Sequence, residues 1–363
     1  MKAFRTWVRI LLLVLNLLSA LLLVGCAASS YVSPASLPFF SVFNMAFPLL
    51  VILNLAWPFV WMFRHRGYVF VSITALAISS INIFNYCSVF PATQSLPHDS
   101  KLKLMSFNVR NFDLYNWNNN QRSKKSIIDF IVKENPDVLC LQEFYTDETE
   151  KFNTLKELKK YYPYFHFRKS LVLEKSKYWG QATFSKYPIK NRELLRFANS
   201  KHNMALVTDI EVMGKGISVY NLHLQSFQFN YRDYETVEHI DADSLGSDIP
   251  FRRWYRMLRN GNVKRASQAE QIAAHISKNA GAAVVCGDFN DTPNSYAYYT
   301  ISRGLQDCFQ KTSWGFGRTY NGSFPSLRID YVLVSAPLKP AAYKVHYEQK
   351  NSDHFPLSAG ITW

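Results

Sequence analysis

Residues 1–97 contain no aspartate and no glutamate, and only five basic residues. An ordinary soluble domain carries about one charged residue in four, so this lack of charge excludes a water-exposed domain for the first quarter of the chain. All 27 acidic residues and most of the 41 basic residues follow from His98 onward. The composition therefore divides the 363 residues into an apolar region, 1–97, and a region of soluble character, 98–363.

Cysteine is also scarce. The chain has five cysteines and no Cys-x-x-Cys pair or cluster of cysteine with histidine, which argues against a disulfide framework and a structural zinc site. Cys26 and Cys87 lie in apolar stretches, and Cys140 and Cys286 lie in short apolar runs typical of buried strands. We therefore interpret the cysteines as small apolar side chains.

Three long uncharged stretches fill the first region, at residues 10–29, 37–63 and 68–90. Each has about 20 residues or more, which is enough to cross the hydrocarbon core of a bilayer. We expect about three transmembrane helices, which together anchor the second region. A short polar linker, 91–100, follows them.

The basic residues that flank these stretches predict the orientation. Lys2, Arg5 and Arg9 precede the first stretch, and Arg64 and Arg66 separate the second from the third. Such basic flanks are typical of the cytoplasmic side. Three crossings then place residues 98–363 outside the cytoplasm. We expect a multi-pass protein of a bacterial inner membrane whose second region, 98–363, faces the periplasm.

One alternative concerns Cys26. The run Leu23-Val24-Gly25-Cys26 matches the pattern of a bacterial lipoprotein cleavage site, where the cysteine would carry lipid and the first span would be removed. The two further apolar stretches favour the multi-pass interpretation. Either form anchors the domain and faces it outward.

The second region alternates strand-like and helix-like stretches, which predicts a layered α/β domain. Apolar runs typical of strands occupy residues 101–108, 138–142, 217–224, 282–286 and 329–334, and helical spacing occupies 124–135 and 263–278.

Polar side chains stand at the ends of these runs, where folding alone does not require them. They are Asn108, Glu143, His223, Asp288, Asn290, Asp330, Asp353 and His354. Each has an ordinary explanation as a solvated terminus or a turn former. That all of them occur together by chance is much less probable. Because strand ends meet at one edge of a sheet, we expect these side chains to converge there.

The motifs that carry these residues appear in a fixed order. They are Phe107-Asn108-Val109-Arg110, Pro136 to Glu143, Gly180 to Pro188, Asn221-Leu222-His223-Leu224, Gly287-Asp288-Phe289-Asn290, Arg328-Ile329-Asp330-Tyr331 and Ser352-Asp353-His354. The set resembles the endonuclease/exonuclease/phosphatase superfamily, which includes deoxyribonuclease I, apurinic endonucleases, bacterial sphingomyelinases and inositol-polyphosphate 5-phosphatases. The resemblance spans about residues 100–363, and the apolar region lies outside it.

The resemblance implies a four-layer α/β sandwich that hydrolyses a phosphate ester with Mg²⁺ or Mn²⁺. It implies that Glu143 is the principal metal ligand, with Asn108 beside it and Asp353 as a further contact. Hard cations prefer such oxygen ligands.

The same resemblance assigns the catalytic groups. Asp288 orients or deprotonates the attacking water and is held by Asn290, while Asp330 pairs with His354 and His223 contacts the phosphate. Elementary electrostatics agrees, since a carboxylate beside His354 favours the charged imidazole that stabilises a phosphorane-like transition state.

The substrate is less constrained. Between residues 225 and 262, aromatic side chains alternate with arginines, which suits nucleic-acid binding, a membrane surface or a self-packed rim of the site. The net charge of residues 98–363 is +9, from 36 basic and 27 acidic residues, and it is equally compatible with an anionic substrate, solubility or an anionic membrane. The leading hypothesis is a phosphodiesterase acting on nucleic acid or a lipid headgroup, without an obligate protein partner. The alternatives are a phosphomonoesterase and an inactive membrane-tethered binding protein.

Overall fold

The computed structural model describes residues 2–63, 65–90, 100–115, 120–149, 151–227, 248–322 and 328–363. Arg64 and nearly all of the expected linker 91–100 lie outside these ranges. So do several members of the aromatic and basic stretch, namely Phe229, Tyr231, Arg232 and Tyr234.

The first region forms a helical bundle. Helix α1 (Lys2–Ala28) is followed by α2 (Pro38–Phe43) and α3 (Phe47–Trp61), which together make a second apolar helix of 24 residues. The third expected span is broken, because α4 (Val69–Ile78) and α5 (Ser80–Tyr86) meet at a bend of 62°. In length and composition, two of the described helices can cross a membrane, or three if the bent pair counts as one span.

Neutral polar side chains bond to one another inside this bundle. Asn16 Nδ2 on α1 donates to Ser72 Oγ on α4 at 2.7 Å, and Trp61 Nε1 on α3 donates to Asn16 Oδ1 at 3.0 Å. A second pair joins Trp57 Nε1 to Ser19 Oγ at 2.9 Å. Because an apolar surrounding offers no water as a partner, each buried polar atom needs one within the protein.

The second region is built on two six-stranded sheets and a short ribbon. The strands are β1 (Ser88–Val89), β2 (Leu102–Asn108), β3 (Val138–Asp147), β4 (Tyr164–Leu173), β5 (Lys177–Ser185), β6 (Ile189–Arg196), β7 (Met204–Val212), β8 (Lys215–His223), β9 (Ala282–Asp288), β10 (Gln306–Asp307), β11 (Trp314–Gly315), β12 (Asp330–Val334), β13 (Lys339–Val345) and β14 (Leu357–Thr362).

The two large sheets share one plan. The first has the order β13-β14-β2-β3-β5-β4, and the second has the order β10-β12-β9-β8-β7-β6. In each sheet one central pair is parallel, β2 with β3 and β8 with β9, and the other neighbours are antiparallel. The parallel pairs bring the carboxyl ends of four strands to one edge of the sandwich. The ribbon pairs β1 with β11.

Helices cover the outer face of each sheet. They are α6 (Asn120–Glu134) and α7 (Thr154–Leu158) on the first sheet, and α8 (Asp248–Lys278) and α9 (Tyr296–Ser302) on the second. A further short helix, α10 (Cys308–Thr312), contributes Cys308 and Phe309 to the apolar cluster between the sheets. Ile127 and Ile131 of α6 pack on the first sheet, and Ala269 and Ile272 of α8 pack on the second. A third apolar cluster fills the space between the sheets. This helix–sheet–sheet–helix arrangement confirms the predicted four-layer α/β sandwich.

The main departures from the expected elements are in length. Strand β3 continues to Asp147 instead of ending at Gln142, and α8 begins at Asp248 instead of Val263. The apolar spacing predicted only the part of α8 that packs on the sheet, because its preceding turns bury no comparable stripe. All five cysteines are free, as expected.

Candidate active site

Strand alternation aims the polar residues of the site into the gap between the sheets. Along β2, Leu102 and Leu104 face this gap, and Asn108 continues the same series at the strand end. By the same alternation, His223, Asp288 and Asp330 are on the inward faces of their strands, at the edge of the second sheet. There His223 is in register with Asp288, and Asp288 with Asp330.

A β-bulge turns Glu143 into this gap. The pairing of β3 with β5 shifts between Leu141 and Phe144, and Glu143 has a positive φ of 47°. Without the extra residue, Glu143 would lie on the outer face, the position that Phe144 takes in the outer apolar cluster. Glu143 therefore lies within β3 at an irregularity, and not beyond its end as the sequence had indicated.

Backbone geometry also fixes the segment from Gly287 to Asn290. Gly287 has φ +132°, and a Cβ there would lie 2.1 Å from Leu222 O, so only glycine fits. Asn290 has φ 53°, and its backbone N–H donates to Asp288 Oδ1 at 2.8 Å. Its Nδ2 donates to Asp288 Oδ2 at 3.1 Å and to Leu224 O at 3.0 Å. Asn290 thus holds both oxygens of Asp288.

Asp288 Oδ2 is the atom on which the other side chains converge. Asn108 Nδ2 lies 3.0 Å from it, His354 Nε2 lies at 3.7 Å, and His223 Nε2 lies at 3.9 Å. The Asp288 side chain is 1 % exposed, whereas Glu143 is 34 % exposed. The site is therefore a cleft with Asp288 in its floor and Glu143 on its wall.

His354 is oriented from behind by Asp330. The two side chains meet at 3.0 Å between Nδ1 and Oδ2, and Thr319 Oγ1 accepts the backbone N–H of Asp330 at 3.1 Å. Burial by itself lowers the pKa of His354. The carboxylates of Asp330 and Asp288 outweigh burial and raise this pKa well above 6.5. His354 is therefore a cation at neutral pH.

The other groups in the cleft are shifted in the opposite sense. Burial raises the pKa of Asp288, although the charge of His354 opposes the shift. Burial lowers the pKa of His223, which is thus a neutral imidazole at neutral pH. The cleft combines a buried carboxylate of raised basicity, one neutral histidine and one charged histidine.

Glu143, the expected principal metal ligand, has an unusually high pKa. Desolvation, followed by repulsion from Asp353, raises the pKa of Glu143 to about 7. A cation between such oxygens would relieve that repulsion, and the oxygen donors suit a hard divalent ion. Asn108 turns its Nδ2 toward Glu143 Oε1 at 3.3 Å, and its Oδ1 accepts the Arg110 N–H. Asp353 pairs with Arg110 Nε at 3.3 Å on the rim.

Among the described residues, two clusters of two carboxylates and one histidine have ligand atoms close enough to hold a metal ion. One is Asp288, Asp330 and His354, and the other is Glu134, His346 and Glu348 on the far side of the first sheet. In the first set, His354 Nδ1 already pairs with Asp330 Oδ2 at 3.0 Å, so we interpret these two residues as an ion pair. In the second, Lys103 Nζ already neutralises Glu134 at 3.0 Å.

A family model described as the endonuclease/exonuclease/phosphatase family matches residues 105–354, a range that contains every side chain of the cleft. The chain belongs to this family. A second model, described as a domain of unknown function, matches residues 9–86 and so covers the helical bundle.

Two sphingomyelin phosphodiesterases are among this family member's curated relatives. The rat sphingomyelin phosphodiesterase 2 is 26% identical over 262 residues, which cover 66% of this chain and 58% of the relative. The human sphingomyelin phosphodiesterase 2 is 24% identical over 260 residues, which cover 64% and 56%. The match thus spans less than three fifths of each relative.

Solved structures share the sandwich fold with this family member. A truncated TDP2 of Caenorhabditis elegans aligns with a TM-score of 0.50 and 17% identity, over 72% of this chain and 98% of that one. An endonuclease/exonuclease/phosphatase from Bacteroides vulgatus gives the same TM-score, identity and coverage. At this identity the likeness concerns the fold alone.

In this family member, further polar side chains that the strand-end pattern missed lie near the cleft residues. Gln142 and Gln181 each donate to Asn221 Oδ1 at 2.7 Å in the buried layer between the sheets. Ser352 Oγ donates to Asn108 O at 2.8 Å and so fixes the segment before His354. The available signal was a run of polar residues at inward positions of strands that otherwise bury apolar ones.

Proposed function

We propose that this protein hydrolyses a phosphodiester with the aid of Mg²⁺ or Mn²⁺ in the cleft around Asp288. The observation that carries the proposal is the convergence of Asn108, His223 and His354 on Asp288 Oδ2, with both oxygens of Asp288 held by Asn290. This arrangement combines a buried base, an adjacent cation and a neutral donor within about 4 Å, which is what phosphoryl transfer needs for positioning and charge stabilisation.

In the proposed reaction a water oxygen bonds to phosphorus while the bond to the leaving ester oxygen breaks. The proton of the water passes to Asp288, and the electron pair of the broken bond goes to the leaving oxygen. Charged His354, poised by Asp330, stabilises the negative charge that develops on the phosphoryl oxygens. Neutral His223 donates a hydrogen bond to the phosphate.

Glu143, Asn108 and Asp353 are the residues we propose to hold the divalent ion, Asn108 by turning its amide oxygen toward the cleft. A bound ion supplies Lewis-acid polarisation of the phosphoryl oxygen. The partly exposed wall formed by Glu143 and Asp353 gives solvent and substrate a path to it.

We further propose that the substrate is a lipid-headgroup phosphodiester, with nucleic acid as the second candidate. Two observations favour lipid: the curated relatives are named sphingomyelin phosphodiesterases, and the catalytic domain is joined to helices of membrane-spanning composition. Residues 1–97 are proposed as the anchor and 98–363 as the catalytic domain.

The proposed orientation also rests on the bundle. Arg5, Arg9 and His65 line one cavity and therefore lie at the same end of the helices. The opposite end, at Cys26 and Asn82, contacts the catalytic domain. Basic ends favour the cytoplasm, so we place the catalytic domain on the periplasmic side of a bacterial inner membrane.

A substrate panel tests the proposal. The full chain in detergent is assayed with bis-p-nitrophenyl phosphate, p-nitrophenyl phosphate, plasmid DNA and sphingomyelin vesicles, each with Mg²⁺, Mn²⁺ or EDTA. We expect metal-dependent turnover of the diesters that is lost in Asp288→Ala and retained in Asp129→Asn, an exposed carboxylate on α6. Turnover of the monoester alone would favour a phosphomonoesterase. Absence of turnover on the whole panel would favour a binding protein.

A further inference from the structure

The loop from residue 289 to 295, here called the β9–α9 loop, connects the cleft with the helical bundle. It begins beside Asp288, contains Asn290, and ends at Ser295, whose Oγ accepts the Tyr298 N–H at the start of α9. Asn294 lies near its end and is fully buried. The loop is thus attached to the catalytic groups at one end and to the bundle at the other.

Asn294 has a hydrogen-bond partner in the bundle for every polar atom of its side chain. Its Oδ1 accepts from Ser30 Oγ at 2.8 Å and from Asn82 Nδ2 at 2.6 Å. Its Nδ2 donates to Cys26 O at 3.2 Å and to Asn44 Oδ1 at 3.0 Å. A primary amide can donate two hydrogen bonds and accept two, and here all four are made.

These partners come from the domain-facing ends of all three apolar segments. Cys26 is in α1, Asn44 lies in the turn between α2 and α3, and Asn82 is in α5. Asn44 Nδ2 also donates to the backbone O of Asn294 at 3.0 Å. A fully satisfied buried network specifies one geometry, because any displacement leaves a polar group unpaired in a place without water.

The middle of the loop is held by the domain itself, between Asn294 at the bundle and Asn290 at the cleft. Asp291 Oδ2 accepts from Arg265 Nε at 2.8 Å, and Asp291 O accepts from the Tyr331 hydroxyl at 2.8 Å. Only three residues separate Asn294 from Asn290, whose left-handed backbone is costly for a residue with a side chain. Such a conformation persists only when its surroundings hold it.

We propose that Asn294 is a positioning residue through which the helical bundle holds the β9–α9 loop, and with it Asn290 and Asp288, in the reactive geometry. The bundle is then part of the catalytic unit as well as an anchor. This inference rests on the proposed function for its kinetic consequence and on the contacts alone for its structural one.

The test compares the full-length wild type with Asn294→Ala and Asn82→Ala, in detergent and with bis-p-nitrophenyl phosphate. Gln310→Ala is the matched control, because Gln310 Nε2 donates to Asn85 Oδ1 at 2.8 Å and so also joins domain and bundle, but from α10. We expect kcat to fall about tenfold to a hundredfold in Asn294→Ala, since small misplacements of catalytic groups have effects of that order. Asn82→Ala should show a smaller fall, and neither variant should change KM by more than about twofold.

Hydrogen–deuterium exchange supplies a readout that does not depend on turnover. We expect faster exchange of the amides of residues 289–295 in Asn294→Ala and Asn82→Ala, and unchanged exchange there in Gln310→Ala. Equal exchange in all four proteins would overturn the inference, as would a general loss of protection throughout the catalytic domain. A wild type that turns over no phosphoester would count against the proposed function and leave the exchange comparison valid.

Discussion

The bundle and the catalytic domain bury different kinds of polar side chain. In the bundle the buried polar groups are amides, hydroxyls and indole nitrogens, such as Asn16, Ser72 and Trp61. In the catalytic domain they include charged residues, among them Asp288, Asp330 and Arg328. Neutral groups can satisfy one another in an apolar surrounding at small net energy, whereas buried charges shift one another's pKa, which is what catalysis needs.

Asn294 belongs to the catalytic domain, but like the buried polar residues of the bundle it is neutral and bonds to neutral partners. It meets the bundle through a neutral amide, although the cleft a few residues away is built from charges. Because a neutral contact can be rigid without altering the potential in the cleft, it is suited to positioning. The comparison leads to four predictions, from the largest expected effect to the smallest.

Removal of the charged histidine should have the largest effect. We expect His354→Ala to lower kcat by about 10² to 10⁴, because it removes the cation that stabilises the developing charge. The measurement is steady-state hydrolysis of bis-p-nitrophenyl phosphate. His275→Ala is the matched control, since His275 of α8 pairs with Glu193 at 3.3 Å and contacts Tyr220 on the outer face of the second sheet. Equal rates in the two variants would contradict the role given to His354.

Breaking the buried ion pair between Arg328 and Asp307 should give the largest loss of stability among these predictions. Arg328 Nη1 lies 2.6 Å from Asp307 Oδ2, and both side chains are almost fully buried. Asp307→Asn keeps the shape and leaves the guanidinium uncompensated, so we expect a loss of about 3 to 5 kcal/mol in the free energy of unfolding. Urea titration of the full chain in detergent measures it.

An exposed pair provides the control for that prediction. Lys125 and Asp129 also meet at 2.6 Å, but their side chains are 74 % and 61 % exposed. Solvent screens such a pair, so Asp129→Asn should leave the unfolding midpoint unchanged. Equal midpoints for Asp307→Asn and Asp129→Asn would show that burial does not separate the two pairs.

The pH dependence of metal binding should come next in size. Because the pKa of Glu143 is raised to about 7, the ion must displace a proton below that pH. The affinity for Mn²⁺ should therefore fall about tenfold for each pH unit below about 7 and level off above it. Calorimetric titration at several pH values measures this.

Asp353→Asn sharpens the same prediction. Repulsion from Asp353 is the second cause of the raised pKa, after desolvation. Its removal should lower the pKa of Glu143 and move the fall in affinity to lower pH. An unchanged profile would show that Asp353 does not act on Glu143.

The sequence was most informative where local patterns decide the structure. Alternation in residues 101–108 and a continuous apolar run in residues 282–286 predicted two strands, and the polar residues after them predicted the cleft. Both signals are local in sequence, so Asn108 and Asp288 could be placed at strand ends without any long-range contact.

Long-range features could not be predicted in this way. The bulge that turns Glu143 inward depends on its pairing with β5, and the bend between α4 and α5 depends on packing in the bundle. Asn294 has partners about 210 to 270 residues away in sequence. In the sequence it resembles any turn-forming asparagine of the run Asp291-Thr292-Pro293-Asn294.

The smallest expected effect lies inside the bundle. Ser72→Ala removes the acceptor of the 2.7 Å hydrogen bond from Asn16 Nδ2. Single hydrogen bonds between transmembrane helices contribute about 0.6 kcal/mol on average, so we expect a loss of that order. Thr74→Ala, at an exposed position of the same helix, is the control for the change in helix composition. The measurement is the shift of the thermal unfolding midpoint in detergent. A loss as large as that of Asp307→Asn would mean that the bundle depends on its neutral network as strongly as the catalytic domain depends on its charges, and the contrast between the two regions would then not hold.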